Sequence, residues 1–218
     1  MLCKAFVVWS LLLASPAQSG PAIRKDRVSI YPIDLICPAA REIGCGSAAK
    51  PLLLELEQAP GIGEAWLNRS GTLIAVVWKE DSKRSERTEV VRSVLKKEKI
   101  RELKGGSREL TLQSFLAGNG WYRGSAVDRL SEEEAGIISA RLVRKMRELI
   151  EITEEKAKVM QTAFQKVLTQ KLTSGEPATP DETHDALLKI CHEQLGEKEI
   201  GILKDAYEKG VFFRLRDE

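Results

Sequence analysis

The sequence has few of the residues and motifs that enzymes and nucleic-acid-binding proteins use at their sites. Its 218 residues include only two histidines. It contains no phosphate-binding glycine loop, no nucleophile elbow and no paired zinc motif. The 34 basic and 32 acidic side chains leave a net charge of +2 and are interleaved along the chain, so no strong field of one sign is expected. We therefore predict a non-enzymatic protein that does not bind nucleic acid.

Long apolar runs are also scarce, and the clearest one lies at the N-terminus. Residues 5–14 form an apolar run after Lys4, and the small residues Ala17 and Ser19 give the small-x-small pattern that is typical of a signal-peptide cleavage site. The run is too short to span a bilayer comfortably. We predict a signal peptide over residues 1–19 and no stable membrane span after its cleavage, with an uncleaved anchor as the alternative. The mature protein would then be exported, to the periplasm in a bacterium and to the outside otherwise.

Cysteines are few, and loss of the signal peptide would leave Cys37, Cys45 and Cys191. An odd number in an oxidising compartment favours one disulfide pair and one spare thiol. Cys37 and Cys45 are the candidates for the disulfide because they lie close together in the chain. Cys191 shares a predicted helix face with His184, but that face offers too few ligands for zinc, and we interpret Cys191 as a core thiol.

Apolar periodicity predicts an α+β fold whose first domain spans residues 28–105. The alternating pattern of 28–36 predicts a strand, and Pro32 within it favours an edge position or a bulge. The order is that of a ferredoxin-like β-α-β-β-α-β domain, in which both helices cover one face of an antiparallel sheet. The further elements predicted are a helix that ends at Pro60, strands at 62–67 and 73–78 joined by a tight turn, a helix at 87–99 and a short strand at 100–103.

The rest of the chain is predicted to be a linker at 106–128 and an α-helical domain at 129–218. The linker contains Trp121 in a glycine-rich segment, which we interpret as an aromatic plug between the domains, with a ligand-holding loop as the alternative. Residues 131–134 resemble a capping box that begins a long amphipathic stretch. Because 137–173 contain no Pro or Gly, either one helix of about 55 Å or a hairpin restarting near 152–155 fits the sequence. Shorter helices are predicted at 181–195 and 197–209.

The segment 45–78 is similar to the heavy-metal-associated domain of copper chaperones, mercury-binding proteins and metal-pumping ATPases. The resemblance extends over about residues 28–104 and implies a ferredoxin-like fold. Cys45 stands at the first cysteine of the family's Cys-x-x-Cys motif, whereas Ala48 replaces the second. The resemblance implies that Cys45 is a metal ligand. The other matched positions are Leu52, Leu56, Gly61, Ile62, Ala75 and Val77.

Three hypotheses for Cys37 and Cys45 follow from these observations. They form a structural disulfide, they bind a soft metal ion, or they act as a redox-active dithiol, although the spacing is not that of Cys-x-x-Cys chemistry. Two thiolates at the start of a helix suit Cu(I), Hg(II) or Zn(II), with zinc the weakest because it prefers four ligands. We predict a metal-handling accessory protein whose helical half binds a protein partner or a second copy. The alternatives are a thiol-disulfide redox protein and a structural interaction module without metal.

Overall fold

In the computed structural model, which describes residues 23–175 and 180–209, an α+β layer is followed by an α-helical half. The predicted signal peptide at 1–19 lies outside the described residues. The strands are β1 (Val28–Pro32), β2 (Ile36–Cys37), β3 (Ala40–Gly44), β4 (Ile62–Asn68), β5 (Leu73–Trp78) and β6 (Trp121–Arg123). The helices are α1 (Gly46–Gln58), α2 (Arg87–Leu95), α3 (Gly105–Leu116), α4 (Asp128–Leu149), α5 (Glu154–Thr173), α6 (Pro180–Gln194) and α7 (Glu197–Glu208). None of the helices in these two ranges is both long and apolar enough to cross a membrane.

The main sheet is antiparallel and has the strand order β1-β5-β4-β6. β1 lies at one edge, as Pro32 at its end predicted. The turn between β4 and β5 is held by Asn68, whose side-chain Oδ1 accepts hydrogen bonds of 2.9 Å from the backbone N–H groups of Thr72 and Leu73. Gly71 in this turn has a φ of 74°, a left-handed conformation that glycine adopts readily. The hairpin predicted from the sequence is therefore confirmed.

Both faces of the sheet are covered by helices. On one face, Leu53 and Leu56 of α1 and Val91 of α2 are fully buried against the sheet. On the other face, α3 packs through Leu112 and Phe115. The sequence predicted helices on the first face alone, because the apolar positions of α3 fell in the predicted linker at 106–128.

The segment 100–128 departs most from the prediction. Residues 100–103 form no strand, and a single backbone hydrogen bond of 2.8 Å, from Leu103 N–H to Ile30 C=O, joins them to β1. The segment 106–128, predicted to be a linker, contains most of α3, strand β6 and a short 3-10 turn. Trp121 belongs to β6, and its ring lies edge-on to Phe115 with centroids 5.3 Å apart. It is therefore part of the sheet's second core, in which aromatic rings prefer such edge contacts.

The long amphipathic stretch forms a helical hairpin rather than one helix. α4 ends at Leu149, and α5 restarts after Thr153, whose side chain caps it by accepting a hydrogen bond of 3.3 Å from Lys156 N–H. α6 and α7 pack on this hairpin, and Met160 and Phe164 lie in their common core. The alternative of a hairpin restarting near 152–155 is confirmed.

Helix α4 contributes to the cores of both halves. Leu130 in its first turn is fully buried with the side chains of the sheet, whereas Val143 and Met146 belong to the helical core. Ion pairs tie α4 to the α+β layer, between Lys50 and Asp128 at 2.7 Å and between Arg141 and Glu42 at 2.8 Å. The domain boundaries at 28–105 and 129–218 stay predictions. A boundary near residue 128 would assign Leu130 to the helical domain, although its side chain is buried in the core of the α+β layer.

Candidate thiol and carboxylate site

The chain between Cys37 and Cys45 folds back as a short β-hairpin. β2 and β3 pair antiparallel, with Cys37 opposite Ala40. At the end of β3, Cys45 N–H donates a hydrogen bond of 2.7 Å to Leu35 C=O. This bond places Cys45 beside Leu35, the residue that precedes β2. Cys45 is also the N-cap residue of α1. The hairpin thus brings the two cysteines to the N-terminus of one helix, as the sequence predicted for Cys45.

A carboxylate from the helical half completes this site. Glu134 lies in the second turn of α4 and is only 2% exposed. Its Oε2 accepts a hydrogen bond of 3.0 Å from the backbone N–H of Gly46, the first residue of α1. The thiols of Cys37 and Cys45 both interact with the same carboxylate. The site therefore joins β2, the β3–α1 junction and α4.

Burial sets the protonation of these groups. It raises the pKa of Cys37 to about 12, and the negative charge of Glu134 adds to this effect. Burial also raises the pKa of Cys45, against a smaller opposing effect of the hydrogen bond with Ser47, whose Oγ lies 3.3 Å from the cysteine sulfur. The pKa of Glu134 is likewise raised by burial, although hydrogen bonds from Cys37, Gly46 N–H and Cys45 oppose the shift. Both cysteines are therefore thiols at neutral pH.

The sequence predicted the opposite effect on Cys45, because a helix N-terminus stabilises a thiolate. At that helix end, a hydrogen bond from the backbone N–H of Ala48 does lower the pKa of Cys45, whereas the N–H of Gly46 donates to Glu134 instead. Desolvation by burial outweighs the hydrogen bond from Ala48 and raises the pKa of the thiol. The expectation of a lowered Cys45 pKa is thus wrong for this arrangement.

Glycine at position 46 allows α4 to approach so closely. A Cβ atom at Gly46 would lie 2.2 Å from Ser131 Oγ and 2.8 Å from Ser131 N. Ser131 is fully buried inside α4, which begins at Asp128, so Ser131 is not the N-cap that the sequence predicted. Glu134, expected to belong to the same capping box, instead interacts with the N-terminus of α1.

The cysteine sulfurs are free in this structure. Cys37 and Cys45 carry thiols, and the disulfide between them stays a prediction. Cys191 is also a free thiol and lies in the helical core, where burial raises its pKa to about 11. This is the environment predicted for a core thiol. His184 lies on the same helix, α6, and lines the same pocket as Cys191.

The donor set at Cys37 and Cys45 fits a two-coordinate ion better than zinc. In the described parts of the chain, no group of three or more His, Cys, Asp or Glu side chains is arranged to hold a metal ion. A structural zinc site requires four such ligands. Two sulfur ligands suit a soft ion that accepts linear coordination. Of the three metals named from the sequence, Cu(I) and Hg(II) therefore match this pair of donors more closely than Zn(II) does, and the binding of any metal stays a prediction.

The participation of Glu134 could not be predicted from the sequence. Its position three residues after Ser131 gave it a local role at the start of its own helix. Its actual partners lie about 90 residues earlier in the chain, as the separation of 88 residues from Gly46 illustrates. No local sequence pattern predicts a contact between residues so far apart in the chain.

Comparisons with known proteins gave no match. No protein-family model matches the chain, and no curated protein or solved structure does so either. The resemblance to heavy-metal-associated domains therefore stays a hypothesis carried by the residues quoted above. A function for this chain has to be argued from the geometry of its own residues.

Proposed function

We propose that this is an exported, non-enzymatic accessory protein that binds one soft metal ion through Cys37 and Cys45. The observation that carries the proposal is the convergence of both thiols on the Glu134 carboxylate at the start of α1. Cysteine sulfur is a soft ligand that prefers ions such as Cu(I) or Hg(II) over hard ions. The ion would displace the two thiol protons, which the raised pKa values otherwise retain at neutral pH.

The arrangement around the thiols supports metal entry from the side of Cys45. Cys37 is 2% exposed, whereas Cys45 is half-buried and Ser47 beside it is also half-buried. An incoming ion would therefore meet Cys45 first and Cys37 second. Glu134 would orient the two thiols before the ion arrives, because a carboxylate accepts several hydrogen bonds at once.

We propose that the α+β layer is a variant of the ferredoxin-like fold, and its strand order supports this. α1 connects β1 to β4, and β5 lies between these two strands, which is the split β-α-β arrangement. In this variant the fourth strand position beside β1 holds the irregular segment 100–103, and β6 adds to the opposite edge. The helical half is proposed to bind a protein partner or a second copy of the chain.

The metal proposal is tested with the reduced full-length protein under anaerobic conditions. Titration with Cu(I), against a chromophoric chelator as competitor, should show uptake of one ion per chain and a new thiolate–metal absorbance in the ultraviolet. Cys45→Ser and Cys37→Ser should each abolish that uptake. Cys191→Ser is the matched control, since its thiol is equally buried but lies in the other core. Unchanged uptake in Cys45→Ser, or no absorbance in the reduced wild type, would refute the proposal.

The second candidate function uses the same two cysteines as a disulfide, and the same convergence favours it. Thiol labelling and mass spectrometry, with and without reductant, would detect it as two fewer free thiols in the exported protein. Reduction should then lower the free energy of unfolding by about 2–4 kcal/mol, with the lower end expected for so short a loop. The raised pKa values of Cys37 and Cys45 predict that the reduced thiols exchange slowly with other disulfides, because the thiolate is the attacking species. This favours a structural bond over a redox catalyst.

Export is tested separately by the mass of the mature chain. Cleavage after residue 19 would remove the predicted signal peptide and leave Gly20 as the first residue. A mass that includes residues 1–19 in the exported fraction would instead support the uncleaved anchor.

A further inference from the structure

The turn between α3 and β6 contains the dipeptide Asn119-Gly120, which has no part in the functions proposed above. Both residues are exposed, and the turn ends where β6 begins. A backbone nitrogen can attack the side-chain amide of the asparagine that precedes it. A following glycine favours this reaction, because glycine has no Cβ to hinder the approach. The fold then decides whether the two groups are free to meet.

The hydrogen bonds of this turn leave both reacting groups free. Gly118 N–H donates to Phe115 C=O at 2.9 Å, and Gly120 C=O accepts from Arg69 N–H at 2.7 Å. Within the part of the chain that the structure describes, neither the Asn119 side chain nor Gly120 N–H makes a hydrogen bond. A Cβ added at Gly118 would have no neighbour within 4 Å, so the space beside the asparagine is open.

The chain has one other asparagine, Asn68, and the fold holds it in the opposite way. Its Nδ2 donates to the hydroxyl groups of Ser70 and Thr72, at 2.9 and 3.0 Å. Its Oδ1 accepts from the backbone N–H groups of Thr72 and Leu73. The nitrogen that would attack it belongs to Arg69 and is itself hydrogen-bonded. The fold therefore protects one asparagine and leaves the other open to reaction.

We propose that Asn119 is a site of spontaneous conversion to isoaspartate. Gly120 N attacks Asn119 Cγ, so that a C–N bond forms while the Cγ–Nδ2 bond breaks, and the proton of Gly120 N leaves with the amide nitrogen as ammonia. Water, the only co-reactant, then opens the cyclic imide. Opening at the main-chain carbonyl routes the backbone through Cβ and Cγ and leaves that carbonyl as a free carboxylate. The site does not involve Cys37 or Cys45 and does not depend on the metal proposal.

The product would carry one more backbone atom and one more negative charge directly before β6. The hydrogen bond from Arg69 N–H to Gly120 C=O continues the pairing in which Trp121 lies opposite Asn68. β6 has only three residues and lies at an edge of the sheet, so few bonds resist a shift. The conversion therefore weakens the pairing of β6 with β4 and exposes Arg69 N–H.

The reaction is tested on the full chain, kept folded in mildly alkaline buffer or unfolded in urea. Peptide mass spectrometry follows the replacement of the amide NH₂ by OH, and methylation by an isoaspartyl methyltransferase identifies the isomer. Unfolding should accelerate the reaction of Asn68 by at least roughly tenfold, because its hydrogen bonds no longer resist attack. It should change the rate at Asn119 little. If unfolding accelerates both sites equally, the turn protects Asn119 and the proposal is wrong.

Asn119→Gln is the matched control for the chemistry. Its amide lies one methylene farther from the backbone, so attack would have to close a larger ring. Methylation of the folded variant should therefore be lost, while the slow reaction at Asn68 continues. Methylation at the wild-type rate in this variant would place the isoaspartate elsewhere in the chain and overturn the assignment.

The structural effect is tested by amide hydrogen exchange, resolved by NMR, on the converted protein. Exchange at Arg69 and at residues 121–123 should be faster than in fresh protein, and exchange in α7 should be unchanged. Fresh Asn119→Asp adds the charge without the extra backbone atom, so its exchange should match that of the fresh wild type. Equal exchange at Arg69 in fresh and converted protein would refute the effect on β6.

Discussion

Replacing Gly46 by alanine tests the close approach of α1 and α4 that holds the thiol site together. The added Cβ would lie 2.2 Å from Ser131 Oγ, 2.8 Å from Ser131 N and 3.2 Å from Ser131 Cα. The hydroxyl can rotate away, but the backbone nitrogen belongs to a helix and can move only if α4 moves. Relief of the clash therefore requires α4 to shift away from the N-terminus of α1.

The expected loss of stability follows from two opposing effects. Overpacking of a well-packed interior typically costs about 1–3 kcal/mol, and a clash with backbone atoms belongs to the upper part of that range. Alanine in place of glycine in a helix returns up to about 1 kcal/mol. We expect Gly46→Ala to lower the free energy of unfolding by about 2 kcal/mol. For a chain of this size, such a loss lowers the melting temperature by about 4–8 °C.

Thermal melting and thiol alkylation together give the assay. If α4 shifts, Glu134 moves away from Gly46 N–H and from both thiols, and Cys37 and Cys45 should react faster while Cys191 is unchanged. Gly201→Ala is the control, since nothing lies within 4 Å of its added Cβ in α7, and it should melt at or above the wild-type temperature. Adding Ser131→Ala to Gly46→Ala should recover only part of the loss. A Gly46→Ala protein with wild-type melting and alkylation rates would refute the close approach.

Three further predictions concern the sheet core, the buried carboxylate and the helical hairpin. Leu53→Asp should unfold the α+β layer, because it places an unpaired charge at a fully buried position, whereas Leu54→Asp at a 38% exposed position should keep native circular dichroism and melting. Burial raises the pKa of Glu134 above its ordinary value of 4.5, so the folded state holds this proton to higher pH, and stability should fall as pH rises from that value through the folded pKa. Glu134→Gln should remove this pH dependence from the urea midpoint. Thr153→Ala should cost about 1 kcal/mol through loss of the α5 cap, and an unchanged urea midpoint would contradict that role.

The parts of the fold that the sequence predicted are those with strong local patterns. The first strand alternates apolar and polar residues, and the Asn68 turn separates two runs of apolar, β-branched and aromatic residues, so β1, β4 and β5 were all found. The helical half was found because its apolar stripe repeats with helical spacing, and the restart of α5 near residues 152–155 was one of the two alternatives that the sequence left open. The chirality and order of the β1-α1-β4 connection follow from general rules once these elements are known.

The parts that were missed depend on contacts distant in the sequence. Residues 100–103 look like a strand by composition, but they meet β1 through one backbone hydrogen bond and so cannot form a ladder. The apolar residues of α3 were assigned to the predicted linker at 106–128. These residues form a helix because Leu112 and Phe115 can then cover the second face of the sheet. The sequence alone does not show that this face is open to a helix.

Glu134 shows the same limit at the level of the site. The sequence identified Cys37 and Cys45 by residue type, since cysteines are few and their possible roles are limited. A glutamate is one acidic residue among 32 Asp and Glu residues, and nothing in its neighbourhood distinguishes a buried carboxylate from one in solvent. Its burial depends on the packing of α4 on α1, and that packing depends on a glycine that the sequence offered no reason to select.

Helix α4 links the thiol site to the helical core without making them one system. Glu134 and Leu142, which packs against that core, lie eight residues apart on this helix, a separation of about 12 Å along its axis. Coupling between the thiols and the helical core would require α4 to have two stable positions that the two regions favour differently. The buried contacts of Gly46 and Leu130 hold the N-terminal half of α4 against the sheet, and Val143 and Met146 hold its C-terminal half in the helical core. An unbroken helix packed at both ends has no second position available at low cost. Metal binding at Cys37 and Cys45 should therefore act locally, at the half-exposed Cys45.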